Sequence, residues 1–171
     1  TKDISGLTVE EQLDKISKRI HELYKIQYEC LNDEILPNLK EEKISYVNVK
    51  EFLLTDKIFT EKYFKDNIFP LLTPLKCSLS ENSQLPYFTN LKLYAGFLLK
   101  PLVENSTIPV EFKPAENKTP LAFVQIPSGI ERIIWLPQNK SEEETRRFTL
   151  LDDIITKYGT QLFPGYSVEE S

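Results

Sequence analysis

The chain has 171 residues, 40% of them hydrophobic and 27% charged, which is enough for one domain, or one domain with a helical appendage, and for a real buried core. Its formal net charge of −5 is shared as −4 over residues 1–56 (8 Lys+Arg, 12 Asp+Glu) and −1 over residues 57–171 (13 against 14), which together give −5. Neither part carries the clustered basic face that neutralising nucleic-acid phosphates requires, no apolar run approaches the ~20 residues of a membrane span, and the N-terminus TKDISGLTVEEQ is not a signal peptide.

The first element announces itself. Thr8 followed by Glu11 is a capping box, which predicts a helix start, and Val9, Leu13, Ile16, Ile20 and Leu23 then form one apolar stripe opposite Lys15, Lys18, Arg19, Glu22 and Lys25. The stripe drifts onto Tyr24, Tyr28, Leu31 and Ile35, as if the helix met two neighbours, and Pro37 is expected to end or kink it. Residues 44–49 are β-branched and aromatic and fit a strand or extended linker. The helical period returns from about Asp56 to Phe69, with Phe59, Tyr63, Phe64 and Ile68 on one side, until Pro70. Residues 73–90, rich in Pro, Ser and Asn, read as an ordered loop with Tyr87 and Phe88 as anchors.

Beyond that loop the period changes to two. Leu91, Leu93, Ala95, Phe97 and Leu99 predict the buried face of a strand, and residues 121–126 and 131–136 two more strands, joined as an antiparallel hairpin through Pro127-Ser-Gly129. Residues 101–120 and 137–145 read as exposed excursions. A last helix is expected from Leu150 to Leu162, ended by Phe163-Pro164-Gly165, with a strand starting at Tyr166. The expected fold class is therefore α+β: a long N-terminal amphipathic helix arm, residues 1–43, followed over residues 44–171 by a small antiparallel β-sheet with helices packed on one face.

The inventory for catalysis is sparse. His21 is the single histidine and sits mid-helix without partners for a base or metal role; Cys30 and Cys77, 47 positions apart, have no zinc or redox spacing and read as reduced packing residues. Five glycines, none closely spaced, supply no phosphate cradle. Glu142-Glu143-Glu144 reads as a solvated acidic run before it reads as a cation site. The weak anion-contact candidates are Arg146 and Arg147 with Lys140 nearby, against the commoner alternative of exposed charge before a helix. No catalytic, cofactor or metal residue is assigned. Methionine is absent even at position 1, and the sequence stops just after a turn and a strand start, so the chain is expected to be a segment of a larger, cytoplasmic protein unless modified methionines are omitted from the sequence as written.

Four punctuated segments carry more information than the titratable residues: Ser5-Gly-Leu-Thr-Val-Glu-Glu-Gln-Leu13; Tyr63-Phe64 with Ile68-Phe-Pro-Leu-Leu-Thr-Pro-Leu75; Pro86-Tyr-Phe-Thr-Asn-Leu91; and Leu150-Leu-Asp-Asp-Ile154 with Leu162-Phe-Pro-Gly-Tyr166. In order and approximate spacing they resemble the middle region of bacterial polyphosphate kinases, over about residues 5–168. The resemblance implies a parent enzyme that reversibly moves the terminal phosphate of ATP onto polyphosphate, using magnesium and a phosphohistidine. It also implies that the phosphohistidine, its partner histidine and the magnesium-proximal arginines lie beyond residue 171 and a nucleotide-contacting asparagine before residue 1, so none maps onto a position here, His21 included.

On that resemblance the chain is expected to be the middle, or head, domain, an inactive scaffold supporting subunit association as a homo-oligomer and contacting other domains of the same polypeptide. Polyphosphate, ATP and magnesium are expectations for the parent, as is a cytoplasmic location with peripheral membrane association left open. The alternative is a stand-alone interaction module docking through the amphipathic helix and the aromatic loop at Tyr87-Phe88.

Overall fold

The structure, a computed structural model of the chain, describes residues 6–79, 86–102, 119–138 and 145–171. It divides into two compact units, Thr1–Tyr46 and Val47–Ser171.

In the first unit α1 runs from Val9 to Glu29. Its start is fixed as expected: the Glu11 N–H donates to Thr8 Oγ1 (3.3 Å) and the Thr8 N–H to Glu11 Oε2 (2.7 Å). Ion pairs Asp14–Lys18, Arg19–Glu22 and Lys25–Glu29 line its polar face. Pro37 does not end the helix. The register widens to a π-turn over Cys30–Ile35, the Leu36 N–H bonding the Leu31 carbonyl, and α2 continues from Leu36 to Glu41 with Pro37 near its start. Lys43, with φ of 60°, turns the chain out of α2 into the short strand β1, Ile44–Tyr46.

In the second unit α3, Leu54–Tyr63, passes through a π-turn at Phe64–Ile68 and a 3₁₀ turn at Phe69–Leu71 around Pro70. Four strands follow the order β2–β4–β3–β7, all antiparallel: β2 is Pro74–Leu79, β3 Tyr94–Pro101, β4 Thr119–Gln125 and β7 Tyr166–Glu170. Register pairs Leu75 with Phe123, Phe97 with Ala122 and Leu99 with Val168. One sheet face carries Phe97, Leu99, Ala122 and Val124, all buried, against Phe64 and Ile68 of the α3 turn, Leu151, Ile154 and Ile155 of α4 (Leu151–Tyr158), and Phe163. A separate antiparallel pair joins β5, Ile133–Trp135, to β6, Arg146–Leu150, and the Val47 N–H extends it by bonding the Phe148 carbonyl (2.8 Å).

The sheet with helices on one face is as expected, and so are α4 and β7; several details are not. Residues 74–79, read as loop, form β2. Its opening Pro74 is tolerated because β2 is a sheet edge, where one side of the strand needs no ladder donor. The strand expected from Leu91 starts at Tyr94, because Leu91 takes a φ of 58° and is fully exposed while Leu93 is half exposed. The expected hairpin does not form: β4 is flanked on both sides by β2 and β3, and β5 takes β6 as its partner instead. Arg146–Leu150, placed between a charged loop and a helix start, is a strand. Most of the two expected excursions lies outside the described residues, although Pro101, Thr119 and Pro120 belong to strands.

Candidate functional site

The three anion-contact candidates part company in the structure. Lys140 lies outside the described residues. Arg146 is exposed at the start of β6 and its guanidinium lies 4.1 Å from the centre of the Trp135 ring, a cation–π contact across the β5–β6 pair. Arg147, the next residue, points the other way because successive strand residues alternate faces. Its side chain is 7% exposed and grips Asp56, which is 0% exposed: Nη1 donates to Oδ1 at 3.2 Å and Nη2 to Oδ2. Asp56 also accepts the Leu53 N–H (2.9 Å), so one carboxylate fixes the start of α3 and ties it to β6. Arg147 is therefore a structural cation, not charge before a helix, and its guanidinium is turned away from any outside anion.

The other titratable groups are equally local. His21 Nδ1 lies 2.8 Å from the Ser17 carbonyl one turn earlier on an exposed helix face. Cys30 and Cys77 are free thiols, and burial raises the Cys77 pKa above its ordinary value, which suppresses the reactive thiolate. Desolvation lowers the pKa of Lys76, whose ammonium lies 4.6 Å from the centre of the Tyr166 ring. Among the described residues no group of three or more His, Cys, Asp or Glu side chains is placed to hold a metal ion, and no helix is long and apolar enough to cross a membrane. The acidic run at residues 142–144 lies outside them.

What the chain presents most strongly is apolar surface. On α1 no residue is buried: Val9 is 65% exposed, Leu13 61%, Ile16 53% and Ile20 44%, a continuous stripe that single scattered surface residues would not form. Tyr87 is also exposed, whereas its neighbour Phe88 packs edge-on against Tyr94 and Phe123 on the sheet face away from α4. In the second unit an open groove of about 420 Å³ runs between α3 and β5. Phe59 and Tyr63, stacked at 5.9 Å, line one wall, with Asn67 beyond them; Ile130, Ile133 and Trp135 line the other. Sequence reading missed this groove. The alternation in Arg146-Arg-Phe-Thr-Leu150 was the available signal for β6, and hence for the strand that holds β5 in place.

Apolar surface is thus the most prominent feature of the described residues, and comparison with known proteins gives it a context. Residues 55–171 match the family description "Polyphosphate kinase middle domain", and residues 1–47 match "Polyphosphate kinase N-terminal domain". The chain belongs to the polyphosphate kinase family. A polyphosphate kinase of Bacillus anthracis is 36% identical over 166 residues, covering 96% of this chain and 22% of that protein. One from Pseudomonas aeruginosa is 28% identical over 165 residues, with the same two shares. The crystal structure of a polyphosphate kinase from Porphyromonas gingivalis has the same fold over 92% of this chain, with a TM-score of 0.72 at 24% identity, and is likewise covered only to 22%. The chain thus spans about a fifth of the length of the polyphosphate kinases it matches, and the passage from N-terminal to middle domain falls where its two compact units meet in sequence.

Proposed function

We propose that this chain is the scaffold and subunit-association region of a polyphosphate kinase, and that the transfer of the ATP terminal phosphate to polyphosphate is carried out by residues outside it. The observation that carries the reading is the combination of middle-domain membership with the apolar stripe that α1 leaves exposed. Phosphoryl transfer works by positioning and by stabilising charge with cations. Here Arg147 is committed to Asp56, and Arg146 to an aromatic face.

On this reading ATP and magnesium bind elsewhere in the longer polypeptide, which is cytoplasmic, and most of the surface of this net-acidic region does not line the path of polyphosphate, which needs clustered Lys and Arg. The α1 stripe supports association, because leaving Leu13, Ile16 and Ile20 in water forfeits the free energy of burying them.

The test is direct. The purified 171-residue chain, given ATP, magnesium and a polyphosphate primer, is expected to make no polyphosphate and to take up no label; turnover, or labelling of His21, overturns the scaffold reading. In sedimentation its mass is expected to rise with concentration, and Ile16→Lys with Ile20→Lys to abolish the rise; a monomer at every concentration removes the association part.

A further inference from the structure

β5 has an unused side, and hydrogen-bond parity shows which groups lie on it. The Leu151 N–H donates to the Arg132 carbonyl and the Leu136 N–H to the Arg147 carbonyl, both at 2.8 Å, and Ile134 stands opposite Thr149. In an antiparallel pair such bonds recur on alternate residues, so 132, 134 and 136 face β6. The main-chain groups of Ile133 and Trp135 therefore point the opposite way, two donors and two acceptors with no strand partner among the described residues. Both residues also line the groove whose other wall is Phe59 and Tyr63 of α3.

An unpaired strand edge facing an aromatic groove has the form of a site for strand addition: main-chain bonds hold the incoming segment and the groove takes alternate side chains. A neighbouring strand would lie about 4.8 Å from β5, in the groove. The edge is short, three residues with Glu131-Arg132 before it and Pro137 soon after, but within it Ile133 and Trp135 are apolar and 47% and 41% exposed, so no charge or proline guards its centre.

We infer that an extended, apolar segment of the same kinase polypeptide, from outside residues 1–171, adds as a strand to the free edge of β5 and seats a side chain between Tyr63 and Trp135. The inference rests on the reading of this chain as part of a longer kinase. Two observations select that occupant over a transient partner: this chain covers only 22% of the length of a matched relative, which leaves most of such a polypeptide outside it, and the groove walls are mainly aromatic and branched (Phe59, Tyr63, Ile130, Ile133, Trp135), with Asn67 and Glu131 as its polar members, closer to a divided core than to a transient contact.

Residue-resolved amide hydrogen exchange tests it, comparing the 171-residue chain with the full-length kinase that contains it. The Ile134 amide, which faces β6, is expected to be slow in both. The Ile133 and Trp135 amides are expected to exchange freely in the short chain and on the order of 100-fold more slowly in the full-length protein. Equal rates for those two amides in both proteins overturn the inference. So does slowing in the short chain that grows with its concentration, since a second copy would then be the occupant. A full-length protein active as a kinase with both amides fast overturns the strand and leaves the proposed function standing; an inactive full-length protein with both amides slowed does the reverse.

Discussion

Arg147 and Asp56, 91 positions apart, form a two-pronged ion pair that water scarcely reaches, and it fastens β6 to the first turn of α3. Burying two charges carries a desolvation cost that the pairing offsets, so the pair is weak evidence of net stability while the loss of one partner is severe. Arg147→Ala leaves the Asp56 carboxylate buried with only the Leu53 N–H as partner, and is expected to lower unfolding free energy by about 3–5 kcal/mol in urea titrations. Asp56→Ala should fall in the same range, with the lost cap adding roughly 1 kcal/mol. The double variant is expected to lose clearly less than the sum of the two, because neither charge is then stranded. Additive losses would show the two groups to be independent.

Next to Arg147 on the same strand, two residues on, Thr149 is fully buried and its Oγ1 has no hydrogen-bond partner among the described residues. A desolvated, unpaired hydroxyl costs free energy that an apolar group of the same shape does not. Thr149→Val is expected to raise the urea midpoint, by about 1 kcal/mol of stability, with the slope unchanged. A loss of stability would place an acceptor or an ordered water on that hydroxyl.

Features whose cause is local were legible in the sequence, and features whose cause is a distant strand were not. The Thr8–Glu11 box and the Val9-to-Leu23 stripe need only their own helix, and α1 starts where they place it. The Phe97–Leu99 alternation marks a buried face that the structure keeps, because one residue in two meets the α4 layer. By contrast β2 opens on a proline and gains its ladder only from β4, 40 to 50 residues downstream in register (Leu79 opposite Thr119, Pro74 opposite Val124). The pair β4 and β5 looked like a hairpin because a short turn joins them, yet β3 and β2 already occupy both edges of β4. Arg147 read as exposed because its partner Asp56 lies in another element. The outward parity of Ile133 and Trp135 could not be read at all, since it follows from the pairing of β5 with β6.

Gly159 gives a test of packing without backbone strain. Its φ of −57° suits any residue, but a Cβ there would run into the ring of Phe97, which is fully buried beneath it. Neither can yield, because Phe97 is also packed on Phe163 with ring centres 5.3 Å apart. Gly159→Ala is expected to destabilise by about 1–3 kcal/mol as overpacking. Gly129→Ala, where a Cβ would meet nothing within 4 Å, is the control and should stay within about 0.5 kcal/mol. Equal effects at the two positions would remove the Phe97 contact as the cause.

The capping box makes the start of α1 sensitive to acid in a direction fixed by its hydrogen bonds. The Thr8 backbone N–H, and then its hydroxyl, hold the Glu11 carboxylate and lower its pKa below the usual glutamate value. A carboxylate whose folded pKa is depressed contributes stability that is present above its unfolded pKa and is lost as pH falls through the folded one. Helicity at the N-terminus of α1 is therefore expected to hold through neutral pH and to fray as the solution is acidified below the ordinary glutamate range, followed by chemical shifts of residues 8–12. Glu11→Gln can still accept from the Thr8 N–H but cannot titrate, so it is expected to keep part of the cap and to flatten that acid transition. Glu11→Ala loses the bond at every pH. A wild-type acid transition at residues 8–12 that survives in Glu11→Gln would assign the fraying to another carboxylate, with Glu10 in the same first turn the next to substitute.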